Sequence, residues 1–532
     1  MRNGPYRIES DYSGRCGPLR REMMRTRLGS HGSASNPSQR EITDRQAEAS
    51  GSDLEVTEVA STAMHYDVVI LGAGSGGYVA AIRAAQLNLK VAIVEAQYWG
   101  GVCLNVGCIP SKALLRNAEI AHLVQHQAAT FGIEGAITMR YDAAFDRSRM
   151  IATARVKGLR YLMRKNKIDE YEGKGTFTDR HSLRVDGENG TQILRFDNAV
   201  IATGATPKMV PGMVRSSRVR TYEQQIMSRE LPESIAIIGA GPIGMEFAYV
   251  LRNYGVSVTV IEALDRVLPN EDLDVSKELA KAYRGLGVHQ LTSTRIVKAV
   301  ESDDTVTLSY QQVRSDVTEM LTVDAVLVAI GFAPNVVGYG LEVLGVATDS
   351  RSAAIIVDET MATSVAGIYA IGDVTAKMML AHVAEAQGII AAETIAQAPT
   401  IGIDDYAMMP RVTFCQPQVA SFGLTEEQAR ASAASRGGDV AVATFPFRAN
   451  GKAHGLGDPT GFVKVIADTA HGELLGAHLI GPDVGELLPE LTLAQRWDLT
   501  VNELVRNVHT HPTLSEALQE AFHGLSGHMI NF

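Results

Sequence analysis

Cysteine is scarce. Four thiols in 532 residues cannot build the dense disulfide framework of a secreted scaffold, and in a cytosolic setting a close pair is more often catalytic or metal-binding. Long apolar runs are missing too: no stretch approaches the ~18 uninterrupted apolar residues of a membrane span, so a membrane partner is not expected. Positive charge is in deficit, with a formal net charge of −11, which argues against nucleic acid as a partner because phosphate binding needs a concentrated excess of Lys and Arg. Small molecules and proteins remain as partners, and the cytoplasm as the expected location. What is present is ordinary globular composition, 45% apolar and 20% charged. The chain is too long for one core, which stops growing at about 250 to 300 residues, so three or four domains are expected.

Residues 1–63 are rich in Ser, Arg, Glu and Gly without sustained periodicity, and read as a disordered N-terminal extension. Seven arginines in the first 32 residues fit an organelle transit peptide, the acids Glu9, Asp11 and Glu22 fit it badly, and a true start at Met64 fits equally well. Beyond them "HYDVVILGAGSGGYVAAIRAAQLNLKVAIVE" reads as strand, glycine turn, helix and strand. "ESIAIIGAGPIGMEFAYVLRNYGVSVTVIE" repeats it: Gly72 to Glu95 and Gly239 to Glu262 are both 23 positions apart, offset by 167. Two nucleotide-binding folds share the chain, the second inserted between parts of the first if "GIYAIGD" (367–373) completes the opening sheet. From about 406, alternating segments such as "GFVKVIAD" and "GELLGAHLIG" suggest an antiparallel sheet with helices after it. The expected class is α/β: two Rossmann-like dinucleotide-binding domains, at 64–205 and 206–335, a return to the first domain over 336–405, and a C-terminal α+β domain over 406–532.

Each glycine has a mechanical part. Gly72 and Gly239 permit the tight turn, Gly74 and Gly241 let a pyrophosphate approach the backbone, and Gly77 and Gly244 let helix and strand pack closely. The helix N-terminus then offers unpaired N–H groups and a positive dipole end to the phosphates. Glu95 and Glu262, at the ends of the following strands, are suited to accept hydrogen bonds from an adenosine ribose. A carboxylate there repels a 2′-phosphate, so the second site should prefer NAD to NADP, although Arg266 nearby offers a cation for the extra phosphate.

"GGVCLNVGCIPSK" (100–112) spaces Cys103 and Cys108 as C-x4-C. Pro110 fits the first turn of a helix "SKALLRNAEIAHLV", which puts Cys108 just ahead of a positive helix end, and Lys112 adds a cation; both lower a thiol pKa. A redox pair beside a hydride carrier is one reading. A zinc site completed by His509 and His511 is another, disfavoured by Lys112 and by the spacing. Two inert core thiols are the third, disfavoured by the Asn and Gly of the shaped loop between them.

"GGVCLNVGCIPSKALL" resembles the redox-active segment of the dihydrolipoyl dehydrogenase family, class I pyridine nucleotide-disulfide oxidoreductases that serve 2-oxoacid dehydrogenase complexes. "VIATGA" (200–205), "AIGFAPN" (329–335), "GIYAIGD", "LAHVAEAQG" (380–388) and "HTHPTLSEALQEAFHG" (509–524) continue the likeness in order over about 64–532. "FCQPQVASFGLTE" and the terminal "GHMINF" look like actinobacterial members. The resemblance implies FAD in the first unit, touching Gly72, Gly74, Gly77, Glu95, Lys112, Gly175, Thr203, Gly204, Asp373 and the run Met379, Leu380, Ala381, His382. It implies NAD on Gly239, Gly241, Gly244, Glu262, Ala329 and Gly331, a Lys112–Glu246 ion pair, no metal, and a C-terminal dimerisation domain.

The implied chemistry is reoxidation of dihydrolipoamide, carried on lipoyl domains of the complexes' acyltransferases. Cys103 takes the substrate sulfur, Cys108 is left as thiolate, and His511, oriented by Glu516, moves the proton. His511 and Cys103 would meet across the two-fold axis of a homodimer. A plain alternative for Glu516 is a capping box, Thr513-x-x-Glu516. Phe332 stands where many members carry Arg. Mercuric and glutathione-type reductases, and a flavin-bearing subunit without turnover, are the competing readings; the absence of terminal cysteines and the presence of Glu262 speak against the first two. Cys16 and Cys415 have no partner in the sequence and read as structural or incidental.

Overall fold

The computed structural model describes residues 64–532, so the expectations for 1–63, Cys16 included, lie outside the described residues. Val68–Leu71 and Val91–Val94 are apolar and buried, as strands inside a covered parallel sheet must be. The strands that carry them, Met64–Leu71 and Val91–Glu95, pair in parallel with Val68 opposite Val91. They lie within a seven-stranded sheet ordered Asp169–Glu172, Val91–Glu95, Met64–Leu71, Gly190–Ile201, Ser182–Gly187, Lys174–Asp179. The remaining strand, Ile368–Ala370 of "GIYAIGD", pairs in parallel with Ala199–Ile201. The chain thus leaves the first sheet, builds a second unit and returns.

The second unit is a five-stranded parallel sheet: His289–Leu291, Ser257–Ile261, Ser234–Ile238, Ala325–Val328, Val219–Arg220. A three-stranded antiparallel sheet, Thr294–Glu301, Val306–Gln312 and Thr318–Val323, accompanies it. The C-terminal sheet is antiparallel, with five strands in the order Arg411–Thr413, Gln418–Gly423, Leu474–Gly481, Phe462–Asp468, Val440–Pro446. Its alternation is weaker than the sequence pattern suggests: Leu474–Gly481 is buried along its whole length. The reason is cover from several sides, since helix Glu516–Leu525 packs on the neighbouring strands while Leu273–Leu286 of the second unit packs on this one.

Helix Cys108–His126 is where these parts meet. Its Leu114, Leu115 and Ala118 share one apolar cluster with Ile235 and Val258 of the second sheet and with Cys415, Val419 and Ile480 of the C-terminal sheet. A redox group at the start of this helix is therefore held by all three bodies at once.

Candidate active site

The two glycine turns obey the same constraints. Gly72 and Gly239 have φ of +108° and +105°, and a Cβ on them would lie 2.2 Å from the Ala202 carbonyl oxygen and 2.4 Å from that of Ala329. A Cβ on Gly77 or Gly244 would lie 1.9 or 2.0 Å from the carbonyl oxygen of the first glycine in its own turn. The middle glycines differ. Gly74 and Gly241 have ordinary φ of −67° and −74°, and beyond their own chain neighbours no atom comes nearer than 4.0 Å to a Cβ placed at Gly74 or within 4 Å of one at Gly241. Nothing in the chain itself demands glycine there, so the space they leave fits a close-lying ligand. Each also precedes a helix, Ser75–Gln86 or Pro242–Asn253, with no side-chain cap and no acid in its first turn, leaving N–H groups free for phosphate.

Glu95 and Glu262 sit identically in their units: each accepts the N–H of the residue after the first glycine, Ala73 or Ala240, at 2.7 Å. Their other oxygens accept Gln97 and Tyr98 N–H in the first case and Leu264 N–H in the second. A carboxylate oxygen has lone pairs left over for ribose hydroxyls. Arg266 is engaged by Asp265 and by the Pro269 carbonyl, at 3.1 and 3.2 Å. A cleft of about 590 Å³ opens before the second turn, lined by Gly239, Gly241, Glu262, Ala329, Gly331 and Phe332 among others. Tyr222, which the sequence reading overlooked, lines it too, its ring 5.7 Å from that of Phe332.

Around the first turn, Thr203 donates from its hydroxyl to the Asn335 carbonyl at 2.7 Å, and Asn335 N–H donates to the Gly204 carbonyl at 3.0 Å. Asp373 follows the returning strand, and burial pushes its carboxyl up to about 6. No described residue hydrogen-bonds that carboxyl, which suits it to a hydroxylated ligand such as a ribityl chain. Helix Ala381–Ile395 begins without a side-chain cap or an acid, so Met379, Leu380 and Ala381 stand at a free N-terminus. The His382 ring instead holds the Pro410 carbonyl at 2.8 Å. Gly175 has a packing reason, since a Cβ on it would lie 2.5 Å from Leu71 Cδ1. Gln387, also overlooked, accepts Gly372 N–H at 2.6 Å.

Cys103 lies in the short helix Gly101–Asn105, and Cys108 opens the helix Cys108–His126. That helix starts ahead of the expected Pro110, which is tolerated because first-turn N–H groups have no intrahelical acceptor. Both thiols are free, partly buried, and hydrogen-bonded to each other. The bond from Cys103 lowers the Cys108 pKa; burial opposes that, and the Lys112 cation adds to it. Giving that hydrogen bond raises Cys103, as does burial. A negative charge on the pair is therefore favoured on Cys108 over Cys103. Lys112 Nζ lies 3.0 and 2.9 Å from the two Glu246 oxygens and 4.6 Å from the centre of the Phe414 ring, while Phe414 N–H donates to Glu246 at 2.9 Å. Glu246 thus ties the cysteine helix, the second unit and the C-terminal domain together, and Phe414 is a site residue that sequence reasoning missed within its own quoted "FCQPQ".

His511 Nδ1 lies 2.8 Å from Glu516 Oε1, with the ring 79% exposed. Thr513 N–H donates to Glu516 Oε2 at 2.8 Å, but the Thr513 hydroxyl turns to Thr510 and Ser515, so the reciprocal capping box is incomplete. Partial burial works against the Glu516 carboxylate, yet Thr513 N–H and His511 hold its pKa below the usual range. No hydrogen bond or ion pair among the described residues joins His511 to either cysteine of its own chain. His509 is taken up by Glu490, 3.1 Å away, and no described group of three or more His, Cys, Asp or Glu is placed to hold a metal ion. Cys415 is fully buried against Pro417 and Tyr283, its thiol pushed up to about 12 by burial.

Two dinucleotide turns around a close thiol pair define an oxidoreductase that passes electrons between thiols and a nicotinamide. The family model for pyridine nucleotide-disulphide oxidoreductases matches residues 66–388, the model for that family's dimerisation domain matches 409–522, and the chain belongs to this family. The dihydrolipoyl dehydrogenase of Mycobacterium tuberculosis is 62% identical over 469 residues, covering 88% of this chain and 100% of that protein. That of Corynebacterium glutamicum is 57% identical over 469 residues, covering 88% and 99%. Among solved structures, LpdA of Mycobacterium tuberculosis aligns with a TM-score of 0.80 at 26% identity over 87% of this chain and 99% of that one. The HOCl-induced flavoprotein disulfide reductase RclA of Escherichia coli aligns with 0.76 at 28% identity over 86% and 99%. The enzyme works with FAD and NAD, and among the described residues no helix is long and apolar enough to cross a membrane.

Proposed function

We infer that this enzyme is a cytoplasmic dihydrolipoyl dehydrogenase. It reoxidises dihydrolipoamide carried on the lipoyl domains of 2-oxoacid dehydrogenase acyltransferases, with NAD+ as acceptor, and acts as a homodimer. The observation that carries the reading is the close thiol pair, with Cys108 at a helix N-terminus beside Lys112, where its thiol pKa is lowered while that of Cys103 is raised. That asymmetry suits one sulfur to exchange with substrate and the other to store charge.

In the oxidised enzyme Cys103 and Cys108 form a disulfide. The partner's His511, oriented by its Glu516, removes a proton from one substrate thiol. The resulting thiolate bonds to Cys103 Sγ, the Cys103–Cys108 bond breaks, and its electron pair leaves on Cys108, where the helix end and Lys112 stabilise it. The second substrate thiol releases its proton to solvent and attacks the substrate sulfur of the mixed disulfide, breaking that sulfur's bond to Cys103 Sγ. Lipoamide departs with its own sulfur–sulfur bond formed, and Cys103 is left to be protonated from the imidazolium. FAD, held at the first turn, supplies the two-electron relay from this dithiol to NAD+ at the second. Glu246 keeps Lys112 pointed at Cys108, and Glu95 and Glu262 hold the two riboses.

Steady-state assays with free dihydrolipoamide test the reading. NADH formation that strongly favours NAD+ over NADP+, abolished in Cys103→Ser, is expected. Reduction of glutathione disulfide with NADPH in place of dihydrolipoamide oxidation would overturn it.

A further inference from the structure

Beside the loop that lines the second cleft lies a buried charge cluster that the reaction does not use. Lys464, on the strand Phe462–Asp468, is 4% exposed, and its ammonium lies 2.9 Å from Asp272, 2.8 Å from Asp274 and 2.7 Å from Glu426. Asp272 also caps helix Leu273–Leu286, accepting Asp274 N–H at 3.1 Å, and takes Glu426 N–H at 3.0 Å on its other oxygen. Beside it Glu271 is buried, with His478 Nδ1 3.9 Å and Arg411 Nε 3.8 Å away. Against its burial, Asp272, Asp274 and Glu426 hold the Lys464 ammonium above its usual range. Removing one partner from such a group leaves the others uncompensated.

The segment Leu268–Asp272 connects this cluster to the cleft. Pro269 and Asn270 line the cleft directly. Leu268, at φ +42°, donates its N–H to the Ala240 carbonyl at 2.9 Å, inside the second glycine turn. Its own carbonyl accepts the Ser276 hydroxyl at 3.1 Å and Glu271 N–H at 2.9 Å. Hydrogen bonds therefore lead from Lys464 to Asp272, from Asp272 through Ser276, whose N–H it accepts at 3.1 Å, to Leu268, and from Leu268 to the turn after Gly239. A left-handed leucine persists only where its surroundings over-determine it, and Asp272 is the last residue of that loop.

We propose that Lys464 is a positioning residue for NAD+: by anchoring Asp272, the C-terminal domain fixes one wall of the nucleotide cleft and the turn that receives the pyrophosphate. The inference rests on the reading of the second turn as the NAD site. Its test is NADH fluorescence titration of the FAD-loaded dimer, alongside steady-state kinetics and flavin reduction by dihydrolipoamide without NAD+. Lys464→Met is expected to weaken NADH binding and raise KM for NAD+ by about tenfold or more, leave kcat within about threefold, and leave flavin reduction unchanged. Lys464→Arg should recover most of the affinity. Asp274→Asn, half-exposed and milder, decides the matter if Lys464→Met does not fold, and should weaken binding by a few-fold. Wild-type NADH affinity in the Lys464→Met dimer, or in Asp274→Asn where only that variant folds, overturns the proposal. Flavin that ignores dihydrolipoamide in the wild type, with NADH binding still sensitive to Lys464, would sink the substrate reading and leave the brace standing.

Discussion

At the scale of single residues, His511 and Glu516 divide one task. Glu516 reaches back from the first turn of its helix to hold the ring at 2.8 Å, so losing the ring should cost more than losing the carboxylate. His511→Gln is expected to lower kcat by about 10²–10⁴-fold, and Glu516→Gln by less, in assays with free dihydrolipoamide. His509 behaves differently. Glu490 raises its pKa above the ordinary 6.5, so the pair's contribution to stability is full below about 6.5 and is lost as pH rises through the raised value. The melting-temperature advantage of wild type over Glu490→Gln should therefore be larger near pH 6 than near pH 9; an advantage that does not change between those pH values would contradict this. A role for His511 followed only from the family resemblance, whereas Cys103 and Cys108 were legible as a close thiol pair because they share one short motif. Phe414 and Lys464 were not, because their chemistry depends on partners 168 and 192 positions away, Glu246 and Asp272.

Among elements, the βαβ turns make the sharpest contrast. Gly241 has ordinary φ and an open Cβ position, whereas a Cβ on Gly244 meets the Gly239 carbonyl oxygen at 2.0 Å. Gly241→Ala should melt within about 2 °C of wild type yet bind NADH about tenfold or more weakly. Gly244→Ala should lose several degrees, about 2–4 °C per kcal/mol in a domain of this size, and equal melting temperatures for the two variants would refute the assignment of roles. Both repeats could be read ahead of the structure because period and turn chemistry are local signals. The C-terminal strand Leu474–Gly481 misled in its exposure because it is covered both by Leu488–Arg496 of its own domain and by Leu273–Leu286 of the second unit, which local alternation cannot report. The cysteine helix likewise starts at Cys108, ahead of Pro110, because a proline within the first turn marks a helix start only approximately.

For the whole molecule, the proposed mechanism pairs His511 of one copy with the thiols of the other, and among the described residues no hydrogen bond or ion pair joins His511 to either cysteine of its own chain. A heterodimer of Cys103→Ser and His511→Gln subunits should hold one intact site, giving about half the wild-type rate although each parent homodimer is nearly dead. An inactive heterodimer would place the base within the same chain as the thiols. The central claim, a dithiol relay from dihydrolipoamide to NAD+, is tested most directly by anaerobic stopped-flow absorbance of wild type and Cys108→Ser mixed with dihydrolipoamide and then NAD+. The account predicts a long-wavelength band from the Cys108 thiolate against the flavin in wild type, followed by NADH, and neither in Cys108→Ser. A wild-type flavin spectrum that dihydrolipoamide leaves unchanged, or NADH formed by Cys108→Ser at the wild-type rate, would contradict it.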